Sequence, residues 1–197
     1  MNAKESLITS TQALLWERGY VGMSPNAILR RAGAGQGSMY HHFAGKAELA
    51  LAAIERSAEE LRALMERPLS AEGTAVSRIT AFLLRERDVL RGCRIGRLAQ
   101  DPDVVANAAL RQPINETFEV VKRRLAEVLE LGVARKELRA ELNAADTAAM
   151  ILAVLQGGYV LARAADSVEP FDHAIKGALS LLRLMALEQD GPTSQGE

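Results

Sequence analysis

One short stretch near the N-terminus of this chain is rich in side chains that can hydrogen-bond to nucleic acid. It contains Gln36, Gly37, Ser38, Tyr40, His41 and His42, and Lys46 follows soon after. Tyrosine, histidine and lysine side chains can donate to phosphate oxygens, whereas the amide of Gln36 can both donate to and accept from a base edge. We therefore interpret this stretch as a surface that contacts DNA.

The residues around this stretch predict the elements that hold it. Ser24 followed by Pro25 is a strong helix start, because the serine hydroxyl accepts from the free N–H groups of the first turn and a proline there sacrifices no hydrogen bond. Gly33 supplies the positive φ that ends this first helix, and Gly35 precedes the next. Together they predict a helix-turn-helix, whose second helix, residues 36–43, enters the major groove of DNA.

A set of residues at fixed spacing runs over residues 7–49. Its members are Gly19-Tyr20, Ile28, Ala32-Gly33, Gly37-Ser38, Tyr40, His42-Phe43, Lys46 and Leu49. This set resembles the DNA-binding domain of the TetR/AcrR family of bacterial transcriptional regulators. Two residues depart from the family pattern. Ala34 stands where a valine is usual, and Gly35 stands where a serine or threonine usually caps the recognition helix and contacts a phosphate.

The motif and the resemblance imply a DNA-binding domain of three helices, which we place at residues 1–46. The residues expected to contact DNA are Ser24, Gly35, Gln36, Gly37, Ser38, Tyr40, His41, His42 and Lys46. Residues 47–188 are expected to form a larger helical bundle for ligand binding and dimerisation, and residues 189–197 a disordered tail. The predicted fold class is therefore all-α.

Composition is compatible with this interpretation. A chain of 197 residues with 48% apolar content can bury a substantial core. The formal net charge is -1, but the residues up to Arg56 carry +2 and the remainder -3, which permits a local basic surface. There is no signal-peptide core and no apolar run of about eighteen residues, and Cys93 is the only cysteine. We expect a cytoplasmic protein.

Catalysis and metal binding are not expected. Cys93 could be a nucleophile, but none of the histidines has the spacing typical of a Cys-His pair, and no phosphate loop, Gly-x-Ser-x-Gly elbow or paired-carboxylate motif is present. The adjacent His41 and His42 point about 100° apart on a helix and cannot chelate one metal ion without other ligands. No enzyme activity, metal or cofactor is therefore predicted.

Helical periodicity continues along the rest of the chain, without strand alternation or internal repeats. A long helix over residues 46–67, which Pro68 ends, would join the two domains. The other predicted helices are 71–89, a shorter one that Asp101-Pro102 opens and that runs to Leu110, one that begins just after Pro113, one that Asn143 caps and one that Pro170 starts.

The segment 150–162 is apolar on nearly all sides, so its helix needs cover on two faces. Self-association of the last two helices about a two-fold axis would supply the second cover as a four-helix interface. Gly157 and Gly158 would let the backbones approach closely. The resemblance to TetR-like regulators implies such a dimer. The alternative to the dimer is a monomer in which this helix is buried at the centre.

Two further segments, 92–99 and 157–164, resemble ligand-domain signatures of the TetR/AcrR branch that includes LmrA/YxaF-type drug- and flavonoid-responsive repressors. The resemblance implies a small-molecule sensor. We expect a largely apolar cavity beside the helix over 46–67, and hence a hydrophobic or aromatic effector that receives one hydrogen bond from Tyr159 or Gln156. The candidate lining residues are Leu61, Leu64, Met65, Phe82, Phe118, Val121, Met150, Gln156 and Tyr159.

The predicted function is that of a ligand-responsive transcriptional regulator, a repressor that binds a palindromic operator as a homodimer and that a small apolar effector releases. The alternative is a helical DNA-binding protein without small-molecule control. That alternative predicts no cavity in the larger domain, and the small side chains there are compatible with either case.

Overall fold

Nine α-helices account for most of residues 2–187, which the computed structural model describes. They are α1 (Ala3–Arg18), α2 (Pro25–Ala32), α3 (Gln36–His42), α4 (Lys46–Leu69), α5 (Ala75–Leu84), α6 (Pro102–Ala106), α7 (Ala108–Ala134), α8 (Ala144–Ala165) and α9 (Glu169–Leu184), with a short 3-10 turn at Leu98–Gln100. Within these described residues the only β-type pairing is an isolated bridge between Leu138 and Ala186. The predicted all-α class is confirmed. The predicted tail at 189–197 lies outside the described residues.

The helix-turn-helix forms where the local signals predict it. The hydroxyl of Ser24 accepts a hydrogen bond from the first turn of α2 at 3.2 Å. Gly33 ends α2 in the left-handed region, with a φ of 61°. α3 follows Gly35, which has no side chain to cap it, and ends at His42, one residue before the predicted end at Phe43.

Two prolines lie inside helices, contrary to the prediction. α4 continues through Pro68 for one further residue, to Leu69, so the backbone hydrogen bond that the proline cannot donate is missing from the last turn only. α7 begins at Ala108, ahead of Pro113, since the side chain of Asn107 accepts hydrogen bonds from two N–H groups of the first turn and caps the helix. The short helix predicted before it therefore ends at Ala106, earlier than the expected end at Leu110.

α5 is shorter than the predicted helix over residues 71–89. The hydroxyl of Thr74 caps its start, accepting from the first turn at 3.2 Å. At its end the guanidinium of Arg87 folds back and donates to the carbonyl oxygens of Phe82 and Leu83 at 2.7 and 3.0 Å. These bonds satisfy carbonyl groups of the last turn, and the chain continues as an irregular segment.

Two hydrophobic cores lie along α4. The first contains buried residues of α1, α2, α3 and the start of α4, and the second contains the end of α4 with α5, α7, α8 and α9. α4 contributes Leu49 and Ile54 to the first core and Met65 and Leu69 to the second. Later residues also enter the first core, namely Ile95, Leu98, Val104, Leu110 and Ile114. The domain boundary after residue 46 stays a prediction.

α8 and α9 pack against each other and present an apolar face outward. The rings of Tyr159 and Phe171 lie 4.9 Å apart, and a Cβ added to Gly158 would lie 3.0 Å from the Phe171 ring. Gly158 thus serves packing within the protomer, whereas Gly157 faces open space. The large exposed apolar residues on these two helices are Val160, Leu161, Leu181 and Leu184.

By length and composition alone, α8 passes the test for a helix that could cross a membrane. Core helices of soluble proteins pass the same test. In this structure α8 contacts both α7 and α9, and its residues Ile151 and Leu155 are buried in the second core. We therefore describe it as a core helix with one exposed face.

Candidate nucleic-acid interface and ligand clefts

α3 presents a polar face to solvent because its apolar residues anchor it on the first core. Met39 is fully buried, and Phe43, just after the helix, is buried as well. The exposed residues of the opposite face are Gln36, Gly37, Tyr40 and His41. No atom lies within 4 Å of a Cβ built on Gly35 or Gly37, so a ligand can approach the backbone closely there. This face offers polar groups on a rigid base.

The other predicted contact residues border this face. Ser24 is exposed, although its hydroxyl already caps α2. Ser38 and His42 are half-buried. Lys46, the first residue of α4, holds its ammonium nitrogen 4.0 Å from the centroid of the Tyr20 ring. The predicted residues thus occupy α3 and the starts of α2 and α4, and DNA contact through them stays a prediction.

A buried carboxylate joins the N-terminal helices to the rest of the chain. Asp101 Oδ2 accepts hydrogen bonds from the backbone N–H groups of Tyr20 and Val21 at 2.7 and 3.1 Å. Asp101 Oδ1 accepts from the N–H groups of Asp103 and Val104 at 3.2 and 3.3 Å and so caps α6. Sequence reasoning missed the first two bonds, because an aspartate before a proline signals only the local cap.

Trp16 joins α1 to the irregular segment after α5. Its indole N–H donates to the carbonyl oxygen of Gly92 at 3.0 Å, and the guanidinium of Arg97 donates to the Trp16 carbonyl oxygen at 2.6 Å. The guanidinium groups of Arg91 and Arg94 lie 3.6 and 4.4 Å from the centroid of the indole ring. A movement of this segment would therefore displace α1 directly, through these contacts.

Two open clefts flank the same segment. The first, of about 560 Å³, lies between residues 92–100, Phe118 of α7 and the C-terminal half of α8. The second, of about 510 Å³, lies between α4, residues 85–94 and Tyr159. Cys93 and Tyr159 line both clefts and form the wall between them.

Most of the predicted ligand residues converge on a closed void near this wall. The void has a volume of about 10 Å³, which leaves room for one water molecule at most. The predicted residues in its lining are Leu61, Met65, Phe118, Val121, Gln156 and Tyr159. The largely apolar cavity expected here is therefore closed in this structure, and the two clefts are the larger spaces that border it.

Three predicted ligand residues lie away from that void. Leu64 is 58% exposed and lines the second cleft. Phe82 is fully buried in the second core, and Met150 packs against the same core. Neither Phe82 nor Met150 lines the void or the two clefts. Helical spacing predicts that such residues are buried, but it does not predict which space they face.

The side chains of Arg85 and Arg87 line the second cleft. The helical periodicity did not predict this positive charge. The guanidinium of Arg87 lies 3.5 Å from the hydroxyl oxygen of Tyr159. Nε of Arg85 is buried, and no described residue hydrogen-bonds to it. Burial raises the pKa of the Tyr159 hydroxyl, and burial together with the nearby charge of Arg87 lowers the pKa of Arg85. The sequence did not predict this position of Arg85, because the periodic pattern extends the helix to residue 89, whereas α5 ends at Leu84.

Both the N-terminal and the C-terminal part of the chain match a known protein family. Residues 7–53 match the family described as "Bacterial regulatory proteins, tetR family". Residues 74–178 match "Tetracyclin repressor-like, C-terminal domain". Among curated relatives, the HTH-type transcriptional regulator LmrA of Bacillus subtilis is 25% identical over 179 residues, which cover 87% of this chain and 92% of LmrA.

Solved structures share the fold over almost the whole chain. A TetR transcriptional regulator from Chloroflexus aurantiacus has a TM-score of 0.80 at 26% identity and covers 93% of this chain and 96% of its own. A cysteine mutant of the TetR family regulator CifR, solved with 26-base-pair double-strand operator DNA, has a TM-score of 0.76 at 21% identity and covers 91% and 96%. The likeness to CifR shows the fold alone.

Proposed function

The chain belongs to the TetR family of bacterial regulatory proteins, and from this premise we propose that it is a transcriptional repressor under small-molecule control. It binds a palindromic operator as a homodimer in the cytoplasm, and a small, predominantly apolar effector releases it. The family consists of transcriptional regulators and not of enzymes. The observation that carries the proposal is the exposed polar face of α3 on its buried apolar base.

In this proposal α3 lies in the major groove. The Gln36 amide contacts a base edge, and Tyr40, His42 and Lys46 contact phosphate oxygens. Because each protomer contributes one α3, the two helices of the dimer must lie about 34–36 Å apart to enter successive major grooves. A two-fold symmetric protein then requires a two-fold symmetric operator.

The dimer interface is proposed on the outward face of α8 and α9. Leu161, Leu181 and Leu184 are 54%, 58% and 69% exposed in the isolated protomer, and they lie on the same pair of helices. Gly157 on α8 and Gly177 on α9 have open space beyond them, so a partner helix can approach closely. A second copy of the same face would cover these residues in a four-helix arrangement.

Effector binding is proposed to reach α3 through the segment that follows α5. A ligand changes operator affinity only if it binds two conformations of the protein with different affinities. The segment 92–100 contributes to the lining of the clefts, and it bonds to α1 through Gly92 and Trp16. Asp101, the next residue, bonds to the turn after α1. A shift of this segment on ligand binding would move the N-terminal helices and change the separation of the two α3 helices.

Selection from a random pool of DNA duplexes tests the proposed function. The purified protein is expected to enrich sequences with two-fold symmetry and to bind them far more tightly than the unselected pool. A large, salt-dependent affinity is expected, because phosphate contacts release counterions. Failure to enrich any sequence, or enrichment of a single unsymmetrical site, would contradict specific binding by a dimer.

Two substitutions on the proposed DNA surface are expected to behave differently. Lys46→Ala should weaken binding to all sequences equally and reduce the slope of log K against log[salt] by about 1 per protomer. Gln36→Ala should cost about 1–3 kcal/mol per half-site and relax the preference at one base position. Fluorescence anisotropy with the selected operator and single-base variants measures both.

Arg123→Ala is the matched control for the loss of a positive charge. Arg123 lies on α7, is 63% exposed and is absent from the proposed DNA surface. It should leave operator affinity and its salt dependence unchanged. Equal and salt-independent effects of Lys46→Ala and Gln36→Ala would remove the assigned roles.

The second candidate function is a DNA-binding protein without small-molecule control. The closed void of about 10 Å³ at the predicted ligand site favours it. A screen of compounds for thermal stabilisation, run beside an operator-release assay, separates the two candidates. If operator binding persists while no compound stabilises the protein or releases DNA, the sensor assignment fails and the DNA-binding assignment stands.

A further inference from the structure

The second cleft contains a buried cationic nitrogen that no described protein group satisfies. Within residues 2–187, Nε of Arg85 is the one buried side-chain nitrogen or oxygen atom without a hydrogen-bond partner. No carboxylate forms an ion pair or a hydrogen bond with this guanidinium among the described residues, and the positive charge of Arg87 lies near it. Burial removes this N–H group of the half-buried Arg85 from water, at a cost that a hydrogen-bond partner would offset. The missing partner indicates a place for an anion.

Most charged groups near Arg85 already form other contacts. Arg87 donates to the carbonyl oxygens of three residues at the end of α5 and just after it, so its role is to terminate that helix. Glu60 pairs with Arg94 at 3.2 Å, and Asp88 lies 3.9 Å from Arg91. Glu86, which also lines the cleft, is exposed. Arg85 is therefore the cation on the inner wall that an incoming anion would meet.

The residues around Arg85 indicate the size and the apolar character of the rest of the ligand. Arg85 lines both the open cleft and the closed void, so it lies where the cleft meets the apolar interior. Leu61 and Leu64 of α4 and the ring of Trp16 provide apolar surface in the same cleft. Its volume of about 510 Å³ falls in the range of small-molecule sites.

We propose that this cleft binds an organic anion, a carboxylate with an aliphatic or aromatic body, whose carboxylate pairs with Arg85. A guanidinium presents parallel N–H donors that match the two oxygens of a carboxylate. The apolar body lies against the α4 leucines. This inference rests on the proposed function, because the anion is the effector, and it adds a charged group to the apolar molecule expected from the sequence.

The chain provides its own reporter for binding. Trp16 is the only tryptophan in the sequence, and it lines the cleft, so its fluorescence responds to occupancy there. Phenylacetate, hexanoate and octanoate are each titrated beside their primary amides, with no DNA present. We expect at least one carboxylate to bind about tenfold more tightly than its amide, because only the carboxylate pairs with Arg85.

Two variants of Arg85 separate pairing from packing. Arg85→Gln should abolish the preference for the carboxylate while changing amide affinity by no more than about twofold. Its melting temperature without ligand should not fall, because the wild-type cation has no partner to lose. Arg85→Lys keeps the charge without the fork of donors and should retain part of the preference. Arg123→Gln, which removes an exposed charge on α7, should leave the preference intact.

Three results would overturn the proposal. The first is that no carboxylate binds more tightly than its amide. The second is that Arg85→Gln and Arg85→Lys both keep the full preference for the carboxylate. The third is that ligand-free Arg85→Gln has a lower melting temperature, which would assign Arg85 a structural role. Operator release is measured separately. If carboxylates bind through Arg85 without releasing operator, the anion site stands and its role as the effector site fails. If operator binds but no carboxylate is preferred, the anion site alone fails.

Discussion

Replacing Asp101 by asparagine is expected to lower the free energy of unfolding by about 1.5–3 kcal/mol, the range for hydrogen bonds to a charged group. The asparagine carbonyl oxygen can still cap α6, since asparagine and aspartate are equally good N-cap residues. Its NH₂ group would instead face the N–H groups of Tyr20 and Val21, and donors cannot bond to donors. Urea unfolding measures the loss, and amide hydrogen exchange should show faster exchange at Tyr20 and Val21.

The same variant should respond less to an effector. The contacts of Asp101 link the segment beside the clefts to the turn after α1, so their loss should reduce the coupling between effector and operator, which is typically about 1–3 kcal/mol in allosteric proteins. Asp103→Asn is the matched control, because Asp103 is an exposed residue in the first turn of the same helix. Unchanged stability and unchanged amide protection in Asp101→Asn would remove this link from the mechanism.

Replacing Leu181 by glutamate is expected to produce a monomer and to weaken operator binding by about a thousandfold, toward the affinity of non-specific binding. Leu181 is 58% exposed in the protomer, so the glutamate is tolerated there. In the proposed dimer the partner protomer covers this side chain, and a buried carboxylate without a partner is strongly unfavourable. Sedimentation measures the oligomeric state, and anisotropy measures the affinity.

Leu84→Glu is the matched control for this substitution. Leu84 ends α5 and is 61% exposed, so the change in charge and exposure is nearly the same. It should remain a dimer and bind operator normally. If Leu181→Glu remains a dimer at micromolar concentration, the interface does not lie on this face of α8 and α9.

The N-terminal helices could be predicted from the sequence because their signals are local. Ser24-Pro25 and Gly33 fix the ends of α2 through contacts a few residues away, and Met39 and Phe43 mark the buried face of α3. The prolines were harder to interpret. Pro68 and Pro113 lie inside α4 and α7, although proline lacks the N–H group that a helix interior uses, so the residue type predicts a helix boundary at both that the structure does not have.

The contacts that join the two cores could not be predicted, because they connect residues far apart in sequence. Asp101 bonds to Tyr20 across 81 positions, and Trp16 bonds to Gly92 across 76. The orientation of Arg85 depends on where α5 ends, and that depends on a side chain folding back onto its last turn. Periodicity predicted the apolar residues that surround the small void as a group, and it did not predict the charge of Arg85 beside them.

Methylation interference on the selected operator tests the central claim most directly. Guanine N7 lies in the major groove and adenine N3 in the minor groove, so methylation at each atom reports contact with one groove. The account predicts interference by N7 methylation in two sets related by two-fold symmetry, with centres about 10–10.5 base pairs or a multiple of that distance apart. Interference from adenine N3 alone, or from one unsymmetrical set of guanines, would contradict a dimer that places two α3 helices in major grooves.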